Sequence, residues 1–177
     1  MTDVASPVRP DTIAALDIGT NSFHLVVARV TGPGRFEVIA REKEMVRLGS
    51  GAPDMRELDP DAIERGVAAL GRMRKVAEVH HADFYAVATS AVREAENARV
   101  FVKRARQEAG VRVQVISGLE EARLIYLGVL QALPVFDQRT LLIDIGGGST
   151  EILVGRSGEV LTAGSLKIGA IRVTRRF

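Results

Sequence analysis

The chain contains an internal repeat. LDIGTNSFHLVVAR at 16–29 and IDIGGGSTEILVGR at 143–156 align at an offset of 127 positions. Asp17, Ile18, Gly19, Ser22, Val27 and Arg29 match Asp144, Ile145, Gly146, Ser149, Val154 and Arg156. Each copy runs from an apolar stretch through an Asp-x-Gly turn into a β-branched stretch, so each reads as two strands joined by a tight turn. A third strand follows each time, at 35–44 and at 159–168. The same three-stranded meander is therefore expected twice.

After the first meander the pattern becomes α/β. LGSGAPDM at 48–55 reads as a loop. Asp59 can cap a helix that Pro60 opens, and Ile63, Val67, Leu70, Met73, Val76 and Ala77 recur at helical spacing. A strand is predicted at 83–88. Residues 89–93 then lead into a helix to about 109, stopped by Gly110. A strand at 111–116 follows, then a helix opened by Ser117 that runs to about 132. Strands at 139–144 and 150–155 begin the second unit, and a further helix is expected to start where the chain stops at Phe177. This order predicts a loose polar tail at 1–11, a first α/β domain with its connecting helix at 12–132, and the first half of a second like domain at 133–177.

The turns suggest phosphate chemistry. Glycine lets backbone approach a ligand without a Cβ in the way, and successive N–H groups in such a turn form an anion nest. Gly19, Thr20, Asn21 and Ser22 in one copy, and Gly146, Gly147, Gly148 and Ser149 in the other, are the candidate phosphate-binding residues; the Thr150 hydroxyl adds a donor. Asp17 and Asp144 would repel bare phosphate, but they make sense as ligands of Mg²⁺, with Glu151 in the same shell, because Mg²⁺ prefers oxygen donors. One such turn alone is usually only a hairpin. Two at equivalent places are harder to explain by turn chemistry.

Composition narrows the classes. The chain of 177 residues has no cysteine, which excludes disulfides, thiolate metal sites and a cysteine nucleophile. A formal charge of +2 argues against a general nucleic-acid binder. No apolar run approaches the ~18–20 residues of a membrane span, and residues 1–11 lack the apolar core of a secretory signal. A cytoplasmic protein is the expectation.

Five stretches together resemble a family: LDIGTNSFHLVVARV, ATSAVREAENA at 88–98, ISGLEEARLIYLGV at 116–129, LLIDIGGGSTEILVG at 141–155 and GSLKIGAIRVTRRF at 164–177. The paired turns and meanders resemble the actin-like ATPase superfamily, with two ribonuclease-H-like domains. More closely, the chain resembles the bacterial exopolyphosphatase/guanosine pentaphosphate phosphatase family. The resemblance implies a mixed five-stranded sheet, followed here by the first three strands of a second domain. It implies release of orthophosphate from inorganic polyphosphate or from guanosine pentaphosphate, a requirement for Mg²⁺, Glu121 as general base and Arg93 as a phosphate contact. A non-catalytic sensor of the same ligands is an alternative, and a sugar kinase or actin-like ATPase is a weaker rival.

Without the resemblance, Glu121 reads as a solvated helix residue and Arg93 as a surface ion-pair partner. Leu124, Ile125 and Leu127 are expected to mark the buried side of the Glu121 helix. Arg99, Lys103, Arg104 and Arg106 read as a solvated basic face, His80 and His81 as a helix end without metal-ligand spacing, and His24 as structural or at most near the first turn. A half-sheet leaves an open edge and apolar surface, which invites self-association into a homodimer. On its own this chain is expected to be weakly active or inactive.

Overall fold

The computed structural model describes residues 11–51 and 55–176. Apart from Asp11, the tail expected at 1–11 lies outside the described residues, as do 52–54 of the expected loop and Phe177. Strands β1 (Thr12–Ile18), β2 (Phe23–Gly32) and β3 (Arg35–Glu44) form an antiparallel meander. Helix α1 (Pro60–Val79) returns the chain to β4 (Asp83–Ala88), which pairs parallel with β1. Helices α2 (Ser90–Glu94) and α3 (Ala98–Glu108) lead to β5 (Val113–Val115), parallel to β4. The sheet order is β3-β2-β1-β4-β5. Helix α4 (Gly118–Ala132) then connects to a separate antiparallel sheet of β6 (Thr140–Ile145), β7 (Thr150–Arg156) and β8 (Glu159–Leu166), ending in α5 (Ala170–Thr174).

Local chemistry accounts for the helix starts. An Asp59 carboxylate oxygen accepts from the N–H groups of Asp61 (2.9 Å) and Ala62 (3.2 Å), and Pro60 occupies the first turn, where its missing N–H is no loss. Ser117 caps α4 by accepting from Glu120 N at 3.1 Å. The α1 stripe faces inward as its spacing predicts, with Ile63, Val67, Leu70, Met73 and Ala77 buried and Val76 packed against them.

Three expectations change. The helix that should run to about 109 breaks between α2 and α3, where Ala95 is extended. Asn97 holds the break by pairing both its amide ends with the backbone of Leu58 (2.9 and 2.8 Å), and Glu96 N–H donates to Arg56 O. The last helix begins well before Phe177, because Ala170 and Ile171 donate to the carbonyls of Gly146 and Gly147 and dock α5 on the second turn. On α4 the buried residues are Ala122 and Tyr126, whereas Leu124 and Leu127 are 39% and 38% exposed. The i,i+4 pair Ala122 and Tyr126 faces Leu142 and Leu153 of the second sheet, which turns the leucines aside.

The repeat has one asymmetry. Ala14, Leu16 and Ile18 are at most 1% exposed within the core that α1 closes. Their counterparts 127 positions later, Leu141, Ile143 and Ile145, are 62%, 57% and 69% exposed. Helix α4 covers the opposite face of that sheet, through Leu142 and Leu153.

Candidate active site

Both turns fold alike. Gly19 N donates to Ser22 O at 3.2 Å, and Gly146 N donates to Ser149 O at 2.9 Å. A Cβ on Gly19 would stand 2.8 Å from Ser22 O, and one on Gly146 would stand 3.2 Å from Ser149 O. Close backbone approach therefore demands glycine at 19 and favours it at 146.

The turns meet face to face. A Cβ on Gly148 would lie 2.6 Å from Ser90 Oγ and 3.0 Å from Thr20 Oγ1, and Thr20 and Ser90 are themselves hydrogen-bonded at 2.8 Å. Arg172 of α5 buttresses the second turn by donating to Gly148 O (3.0 Å) and reaching Glu94 (3.1 Å) of α2. Lys167 also pairs with Glu94, and Arg175 donates to Gly49 O at 2.7 Å. These contacts tie the second unit to the first.

A cleft of about 170 Å³ lies between the turns. Gly19, Thr20, Asn21 and Ser22 line one wall; Gly146, Gly147 and Ser149 line the other, and Asp17, Asp144 and Glu121 complete it. Strand alternation explains the carboxylates. Asp17 points away from the face of β1 that carries Ala14, Leu16 and Ile18. Asp144 shares the α4-covered face of the second sheet with Leu142. Both therefore face the start of α4, where Glu121 sits. Ser149 Oγ is buried with no hydrogen-bond partner among the described residues, so it is a donor left for a ligand. Thr89, Ser90 and His24 also line the cleft, although the sequence did not single them out as ligand contacts. The His24 ring nitrogen bonds Ser22 Oγ at 2.8 Å, and burial, then the charge of Lys43, lowers its pKa.

Three candidates adjoin the cleft without lining it. Gly148 packs on Thr20 and Ser90 rather than lining the cleft. Arg93 donates to Glu121 Oε2 at 2.9 Å and to Ile116 O at 3.1 Å, so it holds the carboxylate from behind. Glu151 is fully buried and does not line the cleft; its Oε1 accepts from Ser165 Oγ at 2.7 Å, and its Oε2 has no partner. Opposite Asp144 in register, it lies under α4 and its charge acts on Glu121.

The site raises the pKa of two carboxyls. Glu121 is pushed up from its ordinary 4.5 to about 7. Burial is the main cause, the Arg93 hydrogen bond opposes it, and the charges of Glu151 and Asp17 add to it. Asp17 is raised from 3.8 to about 6, by burial and then by Asp144.

Among the described residues no three His, Asp or Glu side chains converge as a metal site. Asp17 and Asp144 nevertheless share the cleft, and both offer carboxylate oxygens to it. That suits Mg²⁺, which keeps several waters and needs only one or two carboxylates. Glu151, expected in that shell, is buried under α4 opposite Asp144 in register, and its Oε2 is left without a partner among the described residues.

The model of the Ppx/GppA phosphatase family matches residues 26–177. An exopolyphosphatase from Cytophaga hutchinsonii superposes with a TM-score of 0.89 at 36% identity, over 94% of this chain and 53% of that one. The Aquifex aeolicus PPX-GPPA enzyme superposes with a TM-score of 0.81 at 33% identity, over 94% of this chain and 55% of its own. The chain thus spans about half the length of these solved relatives. The ethanolamine utilization protein EutJ from Carboxydothermus hydrogenoformans, at 17% identity and a TM-score of 0.56 over 93% of this chain and 55% of that one, shares the fold alone. No helix among the described residues is long and apolar enough to cross a membrane.

Proposed function

The chain belongs to the Ppx/GppA phosphatase family, and from that premise we propose that its cleft holds the terminal phosphate of inorganic polyphosphate for hydrolysis. The observation that carries this reading is that both repeat turns and Glu121 line one small cleft. The N–H groups of the turns and the Ser149 hydroxyl would hold phosphate oxygens by charge-assisted hydrogen bonds. Glu121, with a pKa near 7, is partly ionised at neutral pH and suited to take a proton from water. The water oxygen would bond the terminal phosphorus as the bridging P–O bond breaks, releasing orthophosphate and a chain one unit shorter. Arg93 would orient the base by gripping one of its oxygens.

Mg²⁺, held by Asp17 and Asp144, would supply positive charge to offset the phosphates. The Cytophaga hutchinsonii relative is called an exopolyphosphatase, which favours polyphosphate as substrate. The test is orthophosphate release from long polyphosphate with Mg²⁺, by the full protein and its E121Q variant. Loss of release in E121Q is expected. Equal rates would end the catalytic assignment, and release from guanosine pentaphosphate alone would change the substrate.

A further inference from the structure

We propose that the cavity between α3 and the outer edge of β5 is a second ligand site, taking an organic polyanion of the nucleoside polyphosphate class. The cavity measures about 720 Å³, within the usual range of small-molecule pockets, and lies outside the cleft. Its floor is apolar, made by Ala98 and Val102 of α3 and Val115 of β5. Its rim carries Arg99, Lys103 and Arg106, which follow each other at i, i+4 and i+7 and so share one face of the helix.

Charge distinguishes this face from its neighbour. Arg104, on another side of α3, is paired with both Glu64 and Glu108 at 2.6 Å. Arg99, Lys103 and Arg106 have no carboxylate partner among the described residues, and none of the residues lining the cavity is acidic. Three like charges along about two helical turns repel one another. An anion that bridges them removes that penalty.

The floor selects the kind of anion. A bare inorganic phosphate chain has nothing to place on Ala98, Val102 and Val115. An aromatic base does, and a guanidinium plane at the rim can both stack on it and fork to phosphate. β5 is the edge strand of the first sheet, so its outer backbone groups have no strand partner.

The test is titration of the full protein with ATP, with amide hydrogen exchange to place the ligand. Slowed exchange across 98–107 and 113–115 is expected. R99Q/K103Q/R106Q should weaken binding about tenfold or more, while E121Q leaves it unchanged. The single variant R106Q, at an exposed position, should weaken it in part and guards against misfolding of the triple. Three results would overturn the proposal. One is ATP protection confined to 19–22 and 146–149. Another is tripolyphosphate binding as tightly as ATP. The third is a folded triple variant that binds like the parent.

Discussion

Replacing Glu121 with Gln keeps the shape of the side chain and removes its charge. The pKa of this carboxyl rises from 4.5 to about 7 on folding. The folded state therefore holds the proton more tightly than the unfolded state. Stability is at its fullest below 4.5 and is lost as pH rises through 7, where the buried group must ionise. At about 1.4 kcal/mol per unit, the loss approaches about 3 kcal/mol by pH 8. The side chain is 13% exposed, and the solvent that reaches it makes that loss an upper bound. Gln escapes this loss, and its oxygen can still accept from Arg93. E121Q should be more stable than the parent at pH 8, by up to about 3 kcal/mol, with the gap shrinking towards pH 5. It should also lose phosphate release. Urea unfolding of both proteins at pH 5 and pH 8, beside the release assay, reads both effects. An E121Q variant less stable than the parent at pH 8 would refute the electrostatic reasoning, whatever its activity.

Four other outcomes follow from the same contacts. R93Q removes the hydrogen bond that pulls the Glu121 pKa down, so the rising limb of the pH–rate profile should move to higher pH; an unmoved limb would remove Arg93 as the positioning group. G148A places a methyl against Ser90 and Thr20, so it should separate the turns, weaken phosphate binding and cost about 1–3 kcal/mol in unfolding measurements. Mg²⁺ should raise the melting temperature more at pH 8 than at pH 5, because protons compete for Asp17 below its raised pKa of about 6, and D17N should abolish the effect. G155A drives a methyl into the Tyr126 ring, with approaches of 2.5–2.8 Å, and should destabilise by about 1–3 kcal/mol; a melting curve like the parent's would show that α4 can shift.

What could be read from sequence was local. The repeat, the two glycine turns and the starts of α1 and α4 depend on bonds between residues two or three apart, as in Gly19 N to Ser22 O or Glu120 N to Ser117 Oγ. The repeat alignment also assigned Asp17 and Asp144 to matching places. Tertiary structure decided the rest, because it depends on partners far along the chain. Asn97 breaks a helix by reaching Leu58, 39 positions away. Arg93 also grips Glu121 at 2.9 Å, a contact that only the placement of α4 creates. Glu151 has the residue type of a metal ligand, and only the packing of α4 on β7 buries it and leaves its Oε2 unpartnered. Leu124 and Leu127 fit a helical apolar stripe, but the contact with the second sheet chose Ala122 and Tyr126. The raised pKa of Glu121 has the same origin. Sequence specifies the carboxyl, but its proton affinity depends on desolvation and on charges that only folding brings near.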